Sequence, residues 1–151
     1  MKIQFLTLFL IVSLTGPAWA RLGETEDQLI ARYGDPTNKG SGGPVGEKTS
    51  WIHFKKSGFD IEVILFNGVS SQEHITNSQG DGMTTQEIKT LLDANAQGHA
   101  WKELSGGQNW QRDDGALASI NGSGLLFQSK ELIDAEAAAY KAAHARSLEG
   151  F

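Results

Sequence analysis

The chain has 151 residues, of which 39% are hydrophobic, 18 are acidic, 13 are basic and none is cysteine. The net charge of −5 argues against nucleic acid and anionic membrane surfaces as partners, since both would repel the protein. Without cysteine the chain can form no disulfide, thiolate metal site or cysteine nucleophile, and it cannot carry a lipid on a cysteine. Its stability must therefore come from packing alone.

Residues 1–20 have the pattern of a secretory signal peptide. Lys2 supplies the positive charge, residues 5–14 form the apolar stretch, and Ala18-Trp19-Ala20 provides the small residues that a signal peptidase reads. The apolar stretch is too short to cross roughly 30 Å of hydrocarbon. We therefore expect cleavage after Ala20, which leaves 12 basic and 18 acidic residues. The product should be a soluble, non-lipidated protein in the periplasm or outside the cell, with no stable insertion into a membrane.

The sequence predicts that residues 21–78 form a first structural unit, which begins with a short helix. Thr25 and Gln28 match a capping box, in which the threonine oxygen accepts from an N-terminal amide and the glutamine reaches back to the cap. Gly34 is placed to end the helix, and Pro36 prevents the helix from resuming.

The rest of this unit predicts an antiparallel meander behind a glycine-rich loop at residues 37–49. Ser57-Gly58 and Asn67-Gly68 are typical of tight hairpin turns. Pairing the residues that flank the first turn places apolar side chains opposite each other on one face and His53 opposite Glu62 on the other. The turns separate three alternating segments: Trp51–Lys56, Phe59–Phe66 and Val69–Thr76.

Residues 79–129 predict a second unit of the same kind. Thr84 and Glu87 form a second capping box before an amphipathic helix. Short segments separated by glycine-containing turns are typical of an antiparallel meander. Four such strand candidates follow the helix: residues 100–104, 109–112, 116–121 and 125–129.

The two units share one pattern, displaced by 59 residues. In each copy a capping threonine is followed 26 residues later by a tryptophan that opens a strand: Thr25 and Trp51, then Thr84 and Trp110. Each copy must bury its apolar face, and the nearest partner for that face is the other copy. We therefore predict an α+β protein in which two tandem units, each a helix plus an antiparallel β-meander, pack as one domain.

A C-terminal helix is predicted over residues 130–151. The segment is rich in alanine, Ser129 is placed to cap it, and its acidic residues come early. Its apolar stripe is narrow, with Leu132, Ile133 and Tyr140 among its members. The simplest interpretation is that this helix packs back on the domain. The alternative is a protruding helix that binds a partner.

The first unit combines a capped helix, Gly34-x-Pro36, a glycine-rich loop, Trp51-x-x-Phe54 and the Asn67-Gly68 turn. In this order the motifs resemble the helix-then-meander domains of the BamE/SmpA-type outer-membrane assembly lipoproteins. Two such units in tandem are similar to the architecture of the beta-lactamase inhibitor protein. Residues 21–36 and 54–66 look like segments of small exported bacterial proteins of unassigned function.

The resemblance implies a binding module in the cell envelope or outside the cell. Its partner would be another envelope or extracellular protein, and it would need no cofactor. Two differences keep the roles of these families from being carried over. The lipoproteins are tethered through a lipidated cysteine and the inhibitor protein has disulfides, whereas this chain has no cysteine.

A partner-binding surface is predicted on the sheet face opposite the helices. The hairpin register places Ile64 and Phe66 on the same face as Trp51, and Trp110 is the corresponding tryptophan of the second unit. Aromatic residues on such a face are common anchors for protein partners. We therefore expect these four residues to form the contact surface of a non-catalytic binding module. The alternative is burial of the tryptophans in the core.

His53, Glu62 and His74 are weak candidates for a metal site. Two imidazoles and a carboxylate can bind Zn²⁺ or act in acid–base chemistry, which would suit a small metal-assisted hydrolase. A three-residue connection at Asn67-Gly68 would place His74 beside Glu62, whereas a two-residue turn would move it to the other face. Exposed cross-strand ion pairs explain the same residues without a metal. A third hypothesis is an envelope protein with no dedicated ligand.

Overall fold

The computed structural model describes residues 21–148. The predicted signal peptide and the last three residues of the chain lie outside this range. Within it the protein is α+β, with three α-helices and one eight-stranded antiparallel sheet, as the sequence predicts. No helix in this part of the chain is both long and apolar enough to cross a bilayer.

The elements follow one another in two halves. The first half consists of α1 (Glu26–Tyr33), β1 (Asn38–Ser41), β2 (Thr49–Lys56), β3 (Phe59–Phe66) and β4 (Val69–Asn77). The second half consists of α2 (Thr85–Ala94), β5 (Trp101–Ser105), β6 (Asn109–Arg112), β7 (Leu117–Asn121) and β8 (Gly124–Gln128). The C-terminal helix follows as α3 (Lys130–Leu148).

The sheet joins the two halves at its centre. Its strand order is β1-β2-β3-β4-β8-β7-β6-β5, so each half contributes a four-stranded meander. The last strand of each meander, β4 and β8, pair antiparallel in the middle. Both halves therefore share one continuous main core.

The helices α1 and α2 begin at the predicted capping boxes. In α1 the Gln28 amide donates to the Thr25 hydroxyl oxygen at 3.4 Å, and the Thr25 amide donates to the Gln28 side chain at 2.9 Å. The same two bonds join Thr84 and Glu87 at the start of α2, at 3.2 and 2.7 Å. α1 ends at Gly34, whose φ of 91° favours glycine.

The predicted register of the first hairpin is confirmed, with His53 opposite Glu62. The next connection is a two-residue turn, Asn67-Gly68. A β-bulge then shifts the pairing of β3 and β4 by one residue. With the short turn alone, His74 would lie on the other face of the sheet from Glu62. The bulge shifts the pairing by one residue, so His74 lies on the same face as Glu62 and directly opposite it.

The main core lies between the sheet and the helices α1 and α2, on what we call the helix face. Successive residues of a strand point to opposite faces, so the facing apolar pairs of the first hairpin, Ile52 with Val63 and Phe54 with Ile61, fall on this side. Its fully buried large side chains come from both halves: Leu29, Ile52, Phe54, Ile75, Leu91, Leu125 and Phe127.

α3 covers part of the opposite face of the sheet, which we call the α3 face. Its first turn places Leu132 against Ile64 and Phe66. The prediction that Ile64 and Phe66 are exposed is therefore wrong, since they are 7% and 9% exposed. The reason is that the apolar stripe of α3 and the apolar patch on the sheet both gain by leaving water, and α3 follows β8 almost directly. Val45, Trp51 and Ala135 pack around this second core.

The glycine-rich segment at residues 37–49, expected to be a loop, contains the edge strand β1 and a short 3-10 turn, Gly46–Lys48. At Gly40 the backbone runs so close to the Trp51 indole that an added Cβ would lie 2.5 Å from the ring. The strand is polar and lacks alternation, so its sequence does not predict it. It forms by pairing with β2.

Candidate functional site

The structure separates the two tryptophans that were expected on one surface. Trp51 pairs with Ile64 and packs in the second core on the α3 face. Trp110 pairs with Ala118 and packs against the main core on the helix face. The prediction that Trp51, Ile64, Phe66 and Trp110 form a single exposed surface is therefore wrong.

The displacement of 59 residues aligns the tryptophans in sequence but not in side-chain direction. Trp51 is the third residue of β2, whereas Trp110 is the second residue of β6. Because side chains alternate between the faces with a period of two, a difference of one position turns the residue over. The repeat therefore predicts the order of the elements and not the face on which a given residue lies.

An open groove of about 690 Å³ lies on the helix face between α2 and the outer strands β5 and β6. Trp101 and Trp110 are half-buried on the strand side, and Ile88 and Leu92 form the α2 side. We call this cavity the Trp groove. Charged and titratable side chains line its rim: Lys89, Asp93, His99 and Glu103.

Arg112 holds the floor of the Trp groove in place. Its guanidinium carbon lies 5.5 Å from the centroid of the Trp101 ring, which favours cation–π attraction. Two guanidinium nitrogens donate to Asp114, at 2.9 and 2.7 Å, and the third donates to the backbone oxygen of Asn95 at 2.5 Å. The bond from Arg112 is the main reason that the pKa of Asp114 lies below its ordinary value. The buried arginine thus ties the end of α2 to the second meander.

Paired charges order the rim of the groove. His99 Nδ1 lies 2.5 Å from one Asp113 oxygen, and the other oxygen accepts from the Ala100 amide at 3.1 Å. The bond from the Ala100 amide is the main reason that the pKa of Asp113 lies below its ordinary value, and His99 adds to it. Lys89 and Asp93 pair across one turn of α2 at 2.6 Å. The rim therefore presents charges of both signs.

His53, Glu62 and His74 lie side by side in one row across β2, β3 and β4 on the α3 face. His53 Nε2 is 3.8 Å from Glu62 Oε2, whereas His74 Nε2 lies 3.3 Å from the Asn121 carbonyl oxygen. Within residues 21–148, no three side chains of histidine, aspartate or glutamate converge closely enough to hold a metal ion. The three side chains therefore have the geometry of ordinary contacts between neighbouring strands.

Glu73 is a buried carboxyl that we did not identify from the sequence. The alternation of β4 carries the signal, since Glu73 precedes the buried Ile75 by two residues. The Ser70 hydroxyl donates to one of its oxygens at 2.6 Å, and the Tyr33 hydroxyl lies 3.4 Å from the other. Burial raises the pKa of Glu73 to about 7, and these two bonds oppose the rise only in part. Because it is sealed in the main core, this carboxyl has no access to a substrate.

Comparison with known proteins assigns no family to the chain. It matches no protein-family model and no curated protein. Among solved structures it resembles an extracellular protein from Bacillus anthracis strain Ames that contains an SCP domain, with a TM-score of 0.45 and 10% sequence identity. The alignment covers 74% of this chain and 45% of that protein, so this chain spans less than half of its length. A TM-score this low supports no conclusion about function.

Proposed function

We propose that the protein is a non-catalytic binding module that recognises another exported protein through the Trp groove. The observation that carries this proposal is the pair of indoles, Trp101 and Trp110, in an open groove of about 690 Å³. Protein binding is the kind of function that the sequence suggests. The surface that we propose differs from the one predicted from the sequence, because α3 covers the apolar part of that predicted surface.

The chemistry of the Trp groove suits a protein partner. Large aromatic side chains at the centre of a contact supply much of the binding free energy of typical interfaces, and a rim of charged residues sets specificity. In this groove Ile88 and Leu92 extend the apolar surface beyond the tryptophans. Lys89 and Asp93 place both signs of charge beside it.

The partner that we propose is an envelope or extracellular protein. Support comes from the signal-peptide pattern of residues 1–20 and from the likeness of residues 21–36 and 54–66 to small exported proteins. A tandem helix-plus-meander fold is also what the resemblance to BamE/SmpA-type domains implies. The net charge of −5 argues against nucleic acid as the partner.

Site-specific photo-crosslinking in the native cell tests this proposal. A photo-reactive amino acid at Lys89, on the rim of the Trp groove, should capture one protein. The same amino acid at Lys55, on the α3 face, should not. The two positions are matched, since each lysine side chain is 67% exposed and each is in an ion pair. The Lys89 adduct should disappear in Trp110→Ala, and an adduct that survives this change or forms equally at Lys55 would contradict the proposal.

A metal-assisted hydrolase at His53, Glu62 and His74 is the second candidate function, favoured by the register that aligns the three side chains. It predicts stoichiometric Zn²⁺ in the purified protein and loss of this metal in His53→Ala. An envelope protein with no dedicated ligand would show neither the metal nor the crosslink at Lys89.

A further inference from the structure

We infer that the partner of the Trp groove enters as an extended segment that pairs with β5 and adds a strand to the sheet. This inference rests on the function proposed above and specifies the form in which the partner binds. Three properties of β5 carry it: an outer edge that no other strand of residues 21–148 pairs with, a position beside the groove, and a pair of opposite charges.

The outer edge of β5 has no strand partner within the described residues, because β5 is last in the sheet order and pairs only with β6. The Asp113 amide donates to the Ala100 carbonyl oxygen at 3.1 Å, so the backbone oxygen of Ala100 points toward β6. These directions alternate along an antiparallel strand. The backbone of Lys102 therefore points toward β6, while the N–H and C=O groups of Trp101 and Glu103 point outward.

The Trp groove lies directly beside this edge. Trp101 and Glu103 of β5 line the groove, so a strand added at β5 extends the same floor. Every second side chain of that strand would lie on the helix face, next to Lys89 and Asp93 of α2. Backbone bonds to β5 and side-chain contacts in the groove then act together, as in other complexes that form by strand addition.

Two charges on β5 define the segment that fits. Glu103 lies on the helix face, opposite Trp110, and its carboxylate accepts from the Gly107 amide at 2.9 Å. Lys102 lies on the α3 face, opposite Gln111. Opposite charges on directly paired residues stabilise a strand pair. The best match is a segment with a basic residue opposite Glu103, an acidic residue opposite Lys102, and apolar residues at its other positions toward the groove.

The same charges disfavour a second copy of this chain in the registers that are centred on them. Two copies of β5 related by a two-fold axis would pair antiparallel with one residue opposite itself. Centring the pair on Lys102 or on Glu103 opposes like charges, which is destabilising. Charged residues on an edge strand commonly prevent indiscriminate pairing, so the occupant has to match them.

Selection from a phage-displayed library of linear peptides on the immobilised, signal-cleaved protein tests the inference. Enriched peptides should share an alternating apolar pattern with a basic residue at the position that faces Glu103. A synthetic peptide of the enriched sequence should slow amide hydrogen exchange at Trp101 and Glu103 by about tenfold or more. Exchange at Lys102, whose amide already points toward β6, should change little.

Two variants at one position separate the backbone bond from the side-chain charge. Glu103→Pro removes the outward N–H together with the carboxylate and its bond from the Gly107 amide, and leaves the backbone bonds between β5 and β6 in place, so peptide binding should weaken by about tenfold or more. Glu103→Gln keeps the N–H and removes only an exposed charge, so binding should weaken by roughly two- to threefold. Amide spectra of the free variants report whether the fold is kept. If the proline variant does not fold, the exchange measurement on the natural sequence decides the question.

Four results would overturn the inference: no enrichment, helical spacing among the enriched peptides, full binding to Glu103→Pro, or unchanged exchange at Trp101 and Glu103. Concentration-dependent dimerisation that protects these two amides would assign the edge to a second copy and would also overturn it. An adduct at Lys89 in the cell with unchanged exchange would refute only the strand addition. The absence of any adduct would refute the proposed function itself.

Discussion

The two halves of the sheet have the same order of elements but differ in how completely they are closed. β2, β3 and β4 have eight or nine residues each, whereas β5 to β8 have four or five. In the first half Phe54 is 1% exposed beneath α1. In the second half Trp101 and Trp110 are half-buried, and Ile120 is 39% exposed.

This difference follows from the lengths of the strands. Longer strands present more apolar positions to the helix above them, so the first half contributes more of the buried hydrophobic residues. The short outer strands leave the space beside α2 open, and this space is the Trp groove. Some buried polar side-chain atoms near the end of α2 also lack hydrogen-bond partners. Within the described residues, the buried side-chain nitrogens that lack a hydrogen-bond partner belong to Arg21, Asn95 and Trp101.

Removing one large aromatic side chain from each half should show the difference most strongly. Phe54→Ala should lower the free energy of unfolding by about 4 kcal/mol, because it leaves a cavity in a sealed core. Trp110→Ala should lower it by about 2 kcal/mol, because that side chain is only partly buried. Urea unfolding followed by circular dichroism measures both. Equal losses would mean that the second half is as closed as the first.

Glu73 should make stability depend on pH through the main core. Burial raises its pKa from 4.5 to about 7 in the folded protein, so the folded state keeps a proton that the unfolded chain has released over this range. The neutral carboxyl contributes its full stabilisation below about pH 4.5. As the pH rises through about 7 this contribution is lost, and the free energy of unfolding falls by about 3 kcal/mol in total.

Glu73→Gln cannot ionise, so its unfolding free energy should fall less between about pH 5 and pH 8 than that of the natural sequence. The groups that face this carboxyl are Ser70 on its own strand and Tyr33 on α1, with the Glu24–Arg32 ion pair nearby. Glu47→Gln, at an exposed position in the 3-10 turn, is the control and should keep the natural slope. A natural slope in the Glu73 variant would rule out this origin.

The docking of α3 should contribute less than the sealed core of the first half. Leu132→Ala removes the fully buried side chain that α3 places against Ile64 and Phe66, and should cost about 2 kcal/mol. Quenching of Trp51 fluorescence by iodide should increase, because Trp51 packs around the same cluster. Tyr140→Ala, at an exposed position of the same helix, should change neither measurement appreciably. An unchanged Trp51 signal in Leu132→Ala would contradict the docking.

The two capping boxes should show the smallest effect and the closest agreement between the halves. Thr25→Ala and Thr84→Ala each remove a hydroxyl that accepts from the third helical amide, and each should cost about 1 kcal/mol in urea unfolding. Thr85→Ala, beside the second cap, removes no capping bond and should have less effect. A cost confined to one cap would mean that the halves differ in their helices as well as in their strands.

Much of the fold could be predicted because its parts depend on residues that are close in sequence. Thr25 and Gln28 form their capping box within a single turn of helix. Ser57-Gly58 specifies the first hairpin, and opposed apolar and charged pairs specify its register. The predicted start of the C-terminal helix at residue 130 is also the start of α3.

The location of the candidate site could not be predicted, because it depends on contacts between residues that are distant in sequence. The face of His74 was decided by a bulge between β3 and β4, which no turn dipeptide indicates. Ile64 and Phe66 are buried because α3 lies on them, and a narrow apolar stripe does not specify where a helix docks. The edge strand β1 is polar and forms only because β2 offers it a partner.

By itself, the sequence determined the α+β class, the tandem order of the elements and the pairing of the first hairpin. These follow from hydrogen bonds and side-chain alternation over a few residues, which act before any long-range contact forms. The tertiary structure alone decided that Trp51 and Trp110 lie on opposite faces, that α3 closes one of these faces and that the Trp groove stays open. The physical reason is that burial is a property of the whole assembly, because each apolar surface is covered by whichever element the completed sheet brings against it.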